Sequence, residues 1–93
     1  MTLHDPTLEL TAKACQLTGV TSEDVFSWCR TERVSHLRFA VWHVARKSGI
    51  SLHDLARPFR RDHTSVCHGL TRAKDLLQSD EWFRGLVEEL ENV

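Results

Sequence analysis

Residues 58–70 read PFRRDHTSVCHGL. With Val66 set inward and each residue advancing about 100°, Leu70, Ala73 and Leu77 stay within roughly 60° of it. Thr64, His68, Thr71 and Asp75 fall on the far side, with Ser65 and Arg72 flanking. The stretch therefore predicts an amphipathic helix whose N-cap is Asp62 and whose first turn points a dense set of hydrogen-bonding side chains outward. Such a turn needs a polar partner or is simply solvated, and the residues around it bear on that choice.

Upstream, Ser51-Leu52-His53-Asp54 is a serine cap with an acid three residues on. The helix it starts must be short, because Pro58 would break a longer one. Short helix, tight Phe59-Arg60-Arg61 turn and longer helix give residues 51–78 the proportions of a helix-turn-helix. The rest is also helical in pattern. Asp5-Pro6 starts a helix through Leu8, Leu10, Ala14 and Leu17 that Gly19 ends. Thr21-Ser22-Glu23-Asp24 starts a second, short and apolar through Val25, Phe26 and Trp28. A polar connection at 30–33 leads to a longer helix striped by Val34, Leu37, Val41, Val44, Ala45 and Ser48, widened by Phe39 and Trp42 and stopped at Gly49. Ser79-Asp80 punctuates before an acidic helix with Trp82, Phe83, Leu86, Val87 and Leu90 facing inward. No strand pattern occurs. The expectation is one all-α domain over residues 1–93, of five or six helices around a central one.

The chain has 93 residues, 41% apolar and 27% charged, enough for one thin core. Its net charge of −1 conceals an asymmetry. Residues 30–74 carry ten Lys and Arg against Glu32, Asp54 and Asp62, while both ends are acidic. A basic centre points to a polyanionic partner. Three widely spaced cysteines, Cys15, Cys29 and Cys67, give no disulfide framework and are expected as reduced thiols packed as small hydrophobes. No apolar run is long enough to cross a membrane and the first residues lack a secretory pattern, so a cytoplasmic protein is expected. His63 and Cys67 share a helix face but make no metal set alone, and Cys67-His68 cannot face each other as nucleophile and base. Glu88, Glu89 and Glu91 form a solvated face, and Trp28, Trp42 and Trp82 sit in apolar stripes. No enzyme, metal or cofactor is expected.

Nucleic acid accounts for the opening string chemically. Arg60 and Arg61, with the N–H groups at the helix start, suit phosphates. Asp62 can accept from a cytosine amino group, His63 can meet a purine edge, and Thr64 can offer its methyl to thymine. The plainer alternative is that Asp62 is only a cap and the arginines are solvated.

RDHTSVCHGL resembles the RDHTTVLHA-type signature of the DNA-binding domain of DnaA, the bacterial replication initiator. SLHDLARPF is similar to the first helix of that domain's helix-turn-helix, VSHLRFAVWHVARKS to its long central helix, and LELTAKACQLTGVTSEDVFSWCR to its two leading helices. The resemblance covers about residues 8 to 90. It implies a DnaA-like fold of the Trp-repressor-like helix-turn-helix superfamily, and major-groove base contacts from Asp62, His63, Thr64 and Cys67. By position it also points to Arg30, Arg38 and Ser65 as phosphate contacts, and the DNA-binding reading of the basic segment adds Arg33, Arg57, Arg60, Arg61, His68 and Arg72.

Three departures stand out. His36, the candidate minor-groove residue, replaces an arginine that enters the minor groove in the family, Glu32 falls in a normally more basic loop, and the turn FRR is one residue shorter than FGGR. No GxxxxGK[ST] phosphate loop is present. The expected function is sequence-specific binding of double-stranded DNA as a monomer, as a free-standing protein or a module of a bacterial or phage transcription regulator. Replication-origin binding is the alternative, with transcription or replication proteins as further partners. A protein-interaction module that kept the fold but lost DNA binding is the third reading.

Overall fold

The structure, a computed structural model, describes residues 5–27 and 31–92, so the roles expected of Trp28, Cys29 and Arg30 lie outside the described residues. Six helices follow one another: α1 (Pro6–Thr18), α2 (Ser22–Phe26), α3 (Glu32–Lys47), α4 (Leu52–Ala56), α5 (His63–Ser79) and α6 (Glu81–Glu91). A single 3-10 turn, Arg57–Phe59, links α4 towards α5. Among the described residues there is no strand.

The caps stand where the polar punctuation places them. Asp5, Thr21, Ser51, Asp62 and Asp80 each accept a backbone N–H from the first turn of the helix they precede. Each satisfies a donor that the helix itself cannot. Helix α3 packs against all five others and is buried through Val34, Leu37, Ala40, Val41, Trp42, Val44 and Ala45. Glu32, expected in a loop, is its first residue, where a negative side chain complements the helix dipole. Ser48, expected at the end of the buried stripe, is instead the exposed C-cap.

Two faces differ from the leucine pattern. In α1 the buried residues are Thr7, Thr11 and Ala14, while Leu8 and Leu17 are 46% and 47% exposed. The Thr11 hydroxyl donates to the Thr7 carbonyl at 2.7 Å, so it enters the core with its donor satisfied. In α5 the buried stripe is Val66, Gly69, Ala73 and Leu76, with Leu70 and Leu77 half-buried at its edge. The inward face is thus rotated by roughly 50° from the predicted one. Trp82, expected inside, is half-buried beneath the Arg33 guanidinium, 4.5 Å from the ring centroid. Trp42 is core, 2% exposed.

Gly69 explains the rotation. A Cβ there would lie 2.5 Å from Trp42 Cε3 and 2.8 Å from Phe39 Cδ1. The bare backbone of α5 rests on the aromatic face of α3, which brings the helices closer than a leucine contact would. Gly69→Ala should therefore destabilise the protein by about 1–3 kcal/mol through overpacking, despite the roughly 1 kcal/mol helix-propensity advantage of alanine. Urea unfolding of the variant measures this, and a gain in stability would contradict the close crossing.

Candidate nucleic-acid interface

The first turn of α5 is laid out by its cap. Asp62 Oδ1 accepts from the Ser65 N–H at 2.9 Å, which closes the turn and sends Thr64, Cys67 and His68 outward. That hydrogen bond and a further one from the Ser65 hydroxyl hold the Asp62 carboxyl below the usual aspartate range, with smaller help from His63 and the Thr64 N–H. The carboxylate therefore occupies the place at the helix start that the sequence offered to a phosphate. Grip on an anion falls to the arginines.

Between α3 and the head of α5 runs an open groove of about 690 Å³ lined by Ser35, Arg38, Phe39, Trp42, Arg61, Asp62, Thr64, Ser65 and His68. It gathers six of the expected contact residues on one surface: Arg38, Arg61, Asp62, Thr64, Ser65 and His68. Thr64 and His68 are exposed and Ser65 is half-buried. His63 and Cys67 are exposed on the adjoining side of α5, and Arg72 lies further along it, 3.8 Å from Asp75. Arg60 and Arg57 are exposed at the turn, Arg57 paired with Asp54 at 3.2 Å. Arg61 folds back to donate to the carbonyls of Phe59 (3.2 Å) and Ser27 (3.4 Å).

Arg60 is the described non-glycine residue with positive φ, at φ 54°, ψ 40°. A left-handed conformation costs an L-residue roughly 1–2 kcal/mol. Glycine would sit there more easily, so the arginine side chain is kept against a backbone cost.

Three expected contacts have other surroundings. Arg38 is 4% exposed, with Nε donating to Val25 O (2.8 Å) and Nη2 to Asp24 O (3.1 Å) and Ser27 O (2.8 Å). Its guanidinium caps the carbonyl end of α2 and joins it to α3, while the residue also lines the groove. His36 is 7% exposed, its ring edge-on to Phe83 at 6.2 Å and its Nδ1 3.8 Å from Asp80. It cannot reach a minor groove from there, because it faces the α3–α6 contact. Arg33 is exposed but stacked on Trp82, at the α6 side and away from the groove residues.

The sequence reading missed Ser35 and His53. Ser35 lies one helical turn before Arg38 and Phe39 and so lines the same groove. His53 on α4 brings its ring to 5.4 Å from that of His63. Neither shows without knowing how α3 and α4 meet α5. Of the cysteines, Cys67 is exposed rather than packed, whereas burial pushes the Cys15 thiol up.

Residues 9–72 match the family model described as bacterial dnaA protein helix-turn-helix. Three curated relatives carry the name chromosomal replication initiator protein DnaA. That of Aquifex aeolicus is 36% identical over 78% of this chain and 19% of its own length. That of Pseudothermotoga lettingae is 32% identical over 80% of this chain and 17% of its own. That of Thermoanaerobacter sp. (strain X514) is 29% identical over 95% of this chain and 21% of its own. The chain spans about a fifth of the length of these relatives. No solved structure gives a significant match. No helix among the described residues is long and apolar enough to cross a membrane.

Replacing Arg38 by methionine keeps the stem but removes the donors. The variant should lose about 1–3 kcal/mol of stability, from the Val25 carbonyl left unpaired, since Asp24 O keeps the Ser27 N–H and hydroxyl and Ser27 O keeps Arg61. Chemical denaturation measures the loss; an unchanged midpoint would mean the clamp carries nothing. The Asp62 cap adds a pH dependence. Its folded-state pKa lies below that of an unfolded aspartate, so its stabilisation is complete above the unfolded value and is lost as pH falls through the depressed one. Asp62→Asn keeps a capping oxygen and should flatten that acid limb of the stability curve, followed by helical circular dichroism.

Proposed function

The chain belongs to the bacterial DnaA helix-turn-helix family, and on that premise we propose that it binds double-stranded DNA sequence-specifically, with the exposed first turns of α5 in the major groove. The observation that carries this reading is the outward set Asp62, His63, Thr64, Cys67 and His68 at the head of α5, flanked by Arg57, Arg60 and Arg61. Base edges are met by His63, Thr64 and Cys67, and by whatever acceptor capacity the Asp62 cap leaves. Backbone phosphates are met by Arg57, Arg60, Ser65, His68 and Arg72. Arg61 joins them when it exchanges a carbonyl for a phosphate. The retained strain at Arg60 supports a functional reason for that side chain.

Occupancy of a DNA site is the activity these 93 residues can supply, and it suits two uses. The names of the relatives favour binding at a replication origin. Transcription control is the second use, since the same reading head set on promoter sites would serve it. Selection of bound duplexes from a random pool yields the site and separates the uses: repeats clustered at an origin support the first, scattered copies at promoters the second. Monomeric binding to one asymmetric site accompanies either. Failure to retain any duplex would leave the protein-interaction reading in its place.

Affinity for the selected duplex should fall steeply with salt, with a log–log slope of about −0.9 per phosphate neutralised. Thr64→Ala should relax preference at one base pair by roughly 1–3 kcal/mol, whereas Arg60→Ala should weaken all duplexes alike. Indistinguishable profiles for the two variants would contradict the division between reading and gripping. Arg60→Gly offers a sharper contrast: stability should rise by about 1 kcal/mol from relief of the left-handed strain while duplex affinity falls.

A further inference from the structure

The imidazoles of His53 on α4 and His63 on α5 face each other, with centroids 5.4 Å apart and planes at 54°. Both residues are exposed. No third His, Cys, Asp or Glu among the described residues joins them as a set able to hold a metal ion. The charged groups of the elements packed here are few. Asp54 is paired with Arg57 on the α4 side. Arg60 and Arg61 lie in the turn, and Asp62 has an oxygen committed to Ser65. Arg46 at the end of α3 donates to Ile50 O. The Asp62 carboxylate, next to His63 in the chain, is in electrostatic contact with it.

We propose that His53 and His63 are a proton-linked clamp for a DNA backbone phosphate, so that duplex binding takes up protons at this pair. The inference rests on the DNA-binding reading above. A phosphate seated between α4 and α5 would give each imidazolium N–H an acceptor and so favour the charged rings. Proton uptake on binding means, by linkage, that affinity rises as pH falls. Histidine makes that change between pH 5 and 8, where the duplex itself does not titrate. His53 thereby enters the interface as a residue that grips without reading, beside His63, which does both.

The test is the affinity of the whole chain for its best pool-selected duplex, measured by fluorescence anisotropy from about pH 7.5 to pH 6 at fixed ionic strength. Wild-type affinity should rise by about three- to fivefold across that interval. His53→Gln, which can hydrogen-bond but not titrate there, should lower the gain to below about twofold. His53→Lys, permanently charged, should bind more tightly than wild type at the upper pH and show an equally flat profile. Circular dichroism establishes that both variants are folded, as expected for substitutions at an exposed position. A wild-type profile without slope, or His53 variants that keep the full slope, would overturn the clamp while leaving DNA binding intact. Absence of duplex binding at every pH would instead overturn the reading on which it rests.

Discussion

The crossing of α5 over α3 at Gly69 governs where everything functional on this molecule can sit. Because the glycine backbone lies directly against Trp42 and Phe39, α5 is rolled so that Val66, Gly69, Ala73 and Leu76 face the core. The roll turns Cys67 outward and draws Ser65 toward the groove wall. A side chain at 69 would lift the head of α5 from α3 and open the groove that gathers Arg61, Thr64, Ser65 and His68. Packing of one residue without a side chain therefore sets the presentation of the polar ones around it, in keeping with an interior too dense to accommodate an added methyl freely.

A domain of this size has little apolar material to spare, and it uses charged groups as structural members. Arg38 spends a buried guanidinium on the carbonyls of Asp24, Val25 and Ser27, converting the ragged end of a five-residue helix into a fixed joint with α3. Isolated helices as short as α2 are not stable in water. Its shape is held by the Thr21 cap at one end and by Arg38 at the other. At the opposite pole, Lys47 pairs with Glu91 and Lys13 donates to Asn92 O, fastening the end of α6 to α3 and α1. These exposed contacts are worth little individually. They do account for basic residues that sequence charge alone assigns to no particular task.

What was legible in the sequence follows from which signals are local. The caps at Asp5, Thr21, Ser51, Asp62 and Asp80, the break near Pro58 and the central position of α3 all come from side chains acting on their own turn or from unambiguous apolar density. The helix-turn-helix and the outward Thr64 and His68 were visible for the same reason. The errors arose where one helix decides the face of another. Leucine is a poor guide in α1, where Thr11, its hydroxyl bonded to the Thr7 carbonyl, is buried while Leu8 and Leu17 are exposed. Arg38 and His36 look like surface groups in a basic segment, and only the position of α2 and α6 shows that they point into contacts. His53, a lone histidine on a short helix, carries no signal in the sequence until α4 is set against α5.

The shortened turn between α4 and α5 joins these two levels. After the 3-10 turn at Arg57–Phe59, the chain must reverse into α5 with Arg60 and Arg61 alone before the Asp62 cap. Meeting that geometry requires a left-handed residue, and it falls on Arg60. In the same turn Arg61 N donates to Ala56 O and Arg60 N to Arg57 O, and the Arg61 guanidinium donates to Phe59 O, so backbone and side chain hold it together. The Arg60 side chain is then exposed on a fixed base, with Arg61 folded back beside it. A glycine-rich turn of greater length would reach α5 with less strain and place its cation less firmly. The strain at Arg60 is thus the local cost of bringing two positive charges, on a rigid turn, to the edge of the helix whose first residues carry the polar chemistry.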